Sequence, residues 1–145
     1  MSEPRLDHVG LTVGNLDAVA RWYGAALGYE VELTLRVEPI DLDIVMLRHP
    51  GHGDRLELLS RPGSGPGPRH ADPAEAALVE AFGHVAFDVP DLDATFGRLV
   101  ALGARPVLTP GPSPEAGVRM AYVADPEGNL VELLSRTPVP GQEAS

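Results

Sequence analysis

LDHVGLTVGNLDA (residues 6–18) and FGHVAFDVPDLDA (residues 82–94) are two versions of one segment. His8 aligns with His84, Val9 with Val85, Val13 with Val89, and Leu16-Asp17-Ala18 with Leu92-Asp93-Ala94. Further along, Glu57-Leu58-Leu59-Ser60-Arg61 returns unchanged as Glu132-Leu133-Leu134-Ser135-Arg136. Glu57 follows His8 by 49 residues and Glu132 follows His84 by 48. Two anchors sharing nearly one spacing indicate an internal duplication, a signal that outranks any single element.

Each copy reads as strand, helix and three strands. Residues 6–13 and 82–89 alternate apolar and polar positions, the period of a strand. Asn15 and Asp91 are expected to cap helices, with Asp17 and Asp93 in the first turns facing the positive end of the dipole. The helices run to about Leu27 and Leu102, and Gly28 and Gly103 follow where a left-handed residue ends a helix. Strand-like stretches follow at about 29–37, 40–48 and 55–60, then at about 105–109, 117–124 and 129–136. Asp125-Pro126-Glu127-Gly128-Asn129 is a tight turn before the last of them. The expectation is an α+β fold of two tandem βαβββ modules with curved mixed sheets. One domain spans 1–145, with modules at 5–61 and 80–136 and a Pro/Gly-rich linker at 62–79 that carries a short helix from about Pro73 to Ala81.

Composition narrows the partners. The chain has 145 residues, a net charge of −10 and no Lys, so all 11 cations are Arg. An acidic surface repels phosphate backbones and anionic membranes, which argues against nucleic acid. No apolar run approaches a membrane span, and the start Met1-Ser2-Glu3-Pro4-Arg5 lacks the basic and apolar regions of a secretory signal. The expected location is cytoplasmic. Cysteine is absent, so disulfides and thiolate sites are excluded and any metal must rest on His and carboxylates.

Alternation then sorts the faces. In the first strand Val9, Leu11 and Val13 share the face expected under the helix, leaving His8, Gly10 and Thr12 on the other. Leu56 and Leu58 leave Glu57 opposite, and Val131 and Leu133 leave Glu132 opposite. His8, Glu57, His84 and Glu132 therefore belong to the uncovered faces. Two imidazoles and two carboxylates suit one divalent ion: Zn, Ni, Co, Mn or Fe(II). Such an ion also offsets the cost of placing two carboxylates in a cavity.

The segments 8–17, 56–59, 84–89 and 122–132 resemble the vicinal oxygen chelate superfamily, and the resemblance covers about residues 5–136. That superfamily includes glyoxalase I, methylmalonyl-CoA epimerase, extradiol dioxygenases, and fosfomycin and bleomycin resistance proteins. It implies the glyoxalase/bleomycin resistance/dioxygenase fold, a metal held by His8, Glu57, His84 and Glu132, a small substrate with neighbouring oxygens, and a homodimer. The nearest likeness, to glyoxalase I and the epimerase, implies a lyase or isomerase that moves a proton beside a chelated carbonyl. Glu132 would then be the base, with Glu57 as its counterpart. Glyoxalase I carries an Arg where Thr12 stands and an Asn where Arg61 stands, so glutathione recognition is not implied. A ring-cleaving dioxygenase would use His8, His84 and Glu132, and Tyr122 matches half of that group's signature. A resistance protein that only binds its ligand is the other alternative.

Arg36, Arg48 and Arg119 lie on strands and could face the cavity to hold an anion; of these Arg119 is assigned to substrate binding. Met46 and Tyr122 are expected to line the cavity wall. Trp22 and Tyr23 read as core or interface. His49, His52 and His70 fall in loops and read as solvated. Gly63, Gly65 and Gly67 lack the Lys and helix start of a phosphate loop.

Overall fold

The structure is a computed structural model, described here for residues 3–136. The chain divides between Gly67 and Pro68 into two compact units. The expected domain span of 1–145 runs beyond the described residues at both ends.

In the first unit, strand β1 (His8–Thr12) leads to helix α1 (Leu16–Leu27), then β2 (Glu30–Val37), β3 (Leu42–Arg48) and β4 (Arg55–Ser60). The sheet order is β1-β4-β3-β2, with β1 parallel to β4 and the other pairs antiparallel. The second unit opens with the short helix α2 (Pro73–Ala76) and continues through β5 (His84–Asp88), α3 (Leu92–Ala101), β6 (Arg105–Pro112), β7 (Arg119–Ala124) and β8 (Leu130–Ser135). Its order, β5-β8-β7-β6, repeats the first. The parallel pair in each unit is what brings a first-strand residue beside a fourth-strand residue.

Caps start the two long helices where the sequence places them. The Asn15 carboxamide oxygen accepts from the Ala18 amide at 3.1 Å, and Asp91 Oδ1 accepts from the Ala94 amide at the same distance. Gly28 ends α1 with φ 79°. That position demands glycine twice over, because a Cβ there would also stand 3.2 Å from His49 Nε2.

Each helix buries its apolar face on one side of its sheet. Val19, Tyr23 and Ala26 of α1 are buried, as are Leu47, Leu56 and Leu58 of β3 and β4. Leu99 of α3 is buried, as are Ala121, Val123, Val131 and Leu133 of β7 and β8. Burying one such leucine contributes about 1.5–3 kcal/mol. Val9 departs from expectation. It lies on the helix side by alternation but stays 41% exposed, because β1 is an edge strand.

Three other elements differ from the sequence reading. A 3₁₀ turn (Glu38–Ile40) links β2 and β3 and ends on Asp41 at φ 52°. Helix α2 stops at Ala76 rather than Ala81. Leu78 and Val79 are exposed, and a short helix without a buried face has nothing to propagate it. β6 reaches Pro112 through Pro106 and Pro110, with two register shifts against β7. An edge strand tolerates proline on its unpaired side.

The turn before β8 is fixed by a buried carboxylate. Asp125 Oδ1 accepts from the Glu127 and Asn129 amides, both at 2.9 Å, and the Asn129 side-chain amide donates to Oδ1 and Oδ2. This sets the entry point of the strand that carries Glu132. No helix of the described residues is long and apolar enough to cross a membrane.

Candidate functional site

In the first unit the parallel register aligns His8 with Arg55, Gly10 with Glu57 and Thr12 with Leu59. Gly10 offers no side chain, so the Glu57 carboxylate lies across it; a Cβ at position 10 would stand 3.5 Å from Glu57 Oε1. His8 Nε2 comes within 3.8 Å of the same oxygen. Met46 is the antiparallel neighbour of Glu57 and so shares its face.

The second unit repeats the arrangement. Ala86 and Tyr122 flank Glu132 in the sheet, and His84 Nε2 lies 3.0 Å from Glu132 Oε2. The Tyr122 ring meets the His84 ring edge to face, with centroids 5.4 Å apart. Tyr122 is buried beside Glu132. Its phenol is held well above the ordinary tyrosine value, first by burial and then by that carboxylate. Ala76, Leu130, Val107 and Met120 pack around it. Met46 in the first unit and Tyr122 in the second thus each stand next to a glutamate in the sheet.

Donors bound to one ion at about 2.0–2.2 Å sit about 3.0–3.5 Å from one another. The 3.0 Å separation of His84 and Glu132 falls in that range, and the 3.8 Å separation of His8 and Glu57 lies outside it. Among the described residues there is no group of three or more His, Cys, Asp or Glu that could hold an ion. What the structure brings together is His8 with Glu57 and His84 with Glu132.

His8 has a further contact that the sequence reading passed over. Its Nδ1 lies 2.7 Å from Asp7 Oδ2. The Asp7 carboxyl is held below its ordinary value, first by this hydrogen bond, against desolvation, and then by Arg55 and His8 itself. The dipeptide Asp7-His8 was the available signal, and Gly83 precedes the matching His84.

The strand arginines each lie against carboxylates. Arg119 lies an odd number of residues from Tyr122 and so turns to the α3 side. There it donates to Asp93 Oδ2 and Oδ1 at 2.7 and 3.1 Å. Arg36 is engaged by Glu38, Asp41 and Asp43. Arg48 shares the face of Met46, but its guanidinium lies 3.5 Å from Glu32. Arg55, which the sequence reading did not weigh, holds the same Glu32 through two bonds of 2.9 and 3.2 Å.

His49 is not simply solvated. Its Nδ1 accepts from the Gly51 and His52 amides at 3.1 Å each, and its ring stacks on His52 with centroids 4.7 Å apart. It organises the β3–β4 loop. Trp22 and Tyr23 are buried in edge-to-face contact, as expected of core residues.

Comparison with known proteins follows the same lines. The family profile described as Glyoxalase/Bleomycin resistance protein/Dioxygenase superfamily matches residues 5–133. A probable lactoylglutathione lyase of Vibrio cholerae is 30% identical over 139 residues, covering 92% of each chain. A lactoylglutathione lyase of Neisseria meningitidis is 28% identical over 137 residues, covering 91% of each. Among solved structures, the trypanothione-dependent glyoxalase I of Leishmania major superposes with a TM-score of 0.70 at 26% identity, covering 92% of this chain and 87% of that one. A glyoxalase family protein from Enterococcus faecalis gives 0.74 at 21% identity, covering 90% and 97%, and speaks for the fold alone. The duplicated sheets, the paired His and Glu positions and these likenesses agree: the chain belongs to the glyoxalase/bleomycin resistance protein/dioxygenase superfamily.

Proposed function

We propose that this protein is a divalent-metal-dependent lyase or isomerase of the glyoxalase I type, moving a proton beside a carbonyl of a small substrate with neighbouring oxygens. The observation that carries this reading is the repetition of one two-donor pair, His8 with Glu57 and His84 with Glu132, at matched positions of both units. Relatives named lactoylglutathione lyase over nine-tenths of the chain support the reaction class.

In this reading all four side chains serve one ion, within one chain or between two copies in a homodimer. Bound, the ion would polarise the substrate's chelated oxygens and lower the barrier to removing the proton on the adjacent carbon. Glu132 takes and returns that proton, and Glu57 is its counterpart in the first unit. Tyr122 stands beside the Glu132 carboxylate, and Met46 and Tyr122 form the walls against which the substrate lies.

Metal titration of the metal-free protein tests the ligand set. One ion per chain is expected, and Glu57→Gln and Glu132→Gln should each weaken that single site. Two ions per chain, each lost independently on changing one glutamate, would show separate sites and sink the proposal. For the chemistry, hemithioacetal isomerisation is screened against CoA-ester epimerisation. Glu132→Gln is expected to abolish turnover while the circular dichroism spectrum stays native; full activity in that variant would remove Glu132 as the base.

A further inference from the structure

The two His–Glu pairs match in position but not in support. Asp7 stands just before β1, where the backbone is not yet in strand pairing, and its side chain reaches the ring of its own neighbour. Asp7 Oδ2 lies 2.7 Å from His8 Nδ1. Arg55, aligned with His8 across the parallel pair, places Nη1 3.9 Å from Asp7 Oδ1. The same guanidinium is anchored at its other edge by Glu32, at 2.9 and 3.2 Å. Glu32, Arg55, Asp7 and His8 thus form a line of alternating charge ending on an imidazole. In the second unit the place of Asp7 is taken by Gly83.

We propose that Asp7, steadied by Arg55, is a positioning residue that holds His8 as the Nδ1–H tautomer, so that the Nε2 lone pair faces Glu57 and is free to bind a metal ion. An ionised carboxylate can only accept, so the ring nitrogen it touches must carry the proton. The other nitrogen of a neutral imidazole is then the lone-pair donor. A carboxylate behind a ligating histidine also raises its basicity and fixes its orientation, and removing such a partner lowers metal affinity by about 10–100-fold. As an exposed ion pair between adjacent residues the contact would add almost nothing to stability. The inference rests on the metal reading of His8 and adds a residue to it.

Two measurements on metal-free protein labelled with ¹⁵N decide the matter. At about pH 8, where an ordinary histidine is neutral, long-range ¹H–¹⁵N spectra report the tautomer of each ring. His8 is expected as Nδ1–H in the wild type and as a mixture in Asp7→Ala, with His84 unchanged between the two. Asp7→Asn keeps an acceptor oxygen and is expected to retain the wild-type tautomer. Zinc titration of the same samples should show Asp7→Ala binding about 10–100-fold more weakly, with Asp7→Asn between the two. A wild-type His8 found as Nε2–H, or an Asp7→Ala variant with unchanged tautomer and zinc affinity, would overturn the inference. A wild-type protein that takes up no zinc would instead sink the functional reading itself.

Discussion

At the scale of single residues, the glutamates proposed as ligands are ones whose neighbours are fixed by register. Glu57 and Glu132 were legible because an identical pentapeptide carries both, and strand alternation then chose their face. Asp7 was not, because it sits outside the strand where alternation has no force. Arg119 is turned toward α3 by its odd separation from Tyr122. Tyr29 shows how a residue away from the site leaves a measurable trace. Its hydroxyl donates to Asp54, and burial first, then that bond, hold its phenol well above the ordinary tyrosine value. A raised folded-state value means that the folded protein keeps this proton when the unfolded chain has lost it. The stabilisation is therefore complete below about pH 10, the unfolded tyrosine value, and fades as pH rises through the folded one. Urea midpoints measured from pH 8 to alkaline pH should fall above about pH 10 in the wild type. Tyr29→Phe should flatten part of that fall; an unchanged alkaline limb would count against the Tyr29–Asp54 bond as its source.

At the scale of elements, the sequence was most informative where a backbone requirement coincides with a residue type. Asn15 and Asp91 cap, Gly28 terminates, and Asp125-Pro126-Glu127-Gly128-Asn129 turns. It was least informative where tertiary packing decides. Nothing local announces that α2 halts after one turn, since the exposure of Leu78 and Val79 is a property of the folded surface. Likewise three prolines discourage a strand on propensity, yet β6 runs through them as an edge. The Asp125 turn makes the strongest prediction at this level, because Asp125 is only 4% exposed and serves two backbone amides and the Asn129 side chain. Asp125→Ala strands those donors, and the expected loss is about 1–3 kcal/mol of unfolding free energy, read from urea denaturation. Because the turn aims β8, the same variant should also bind metal more weakly; unaltered stability would show that water replaces the carboxylate.

At the scale of the whole molecule, duplication was plain in the sequence, because an identical pentapeptide and a near-equal His-to-Glu spacing carry it. β2 leaves Leu33, Leu35 and Val37 exposed along one face, and apolar rows of this kind accompany association. With the proposed homodimer, sedimentation equilibrium should return twice the chain mass of 15.3 kDa; a single-chain mass in metal-loaded protein would remove the dimer from the proposal. The mismatch between the two units has a last consequence. Where the first places the supple thioether of Met46 beside its carboxylate, the second places the stiff phenol of Tyr122. A thioether yields to whatever lies against it and a phenol does not, so the carboxylate of the first unit has the more adaptable wall.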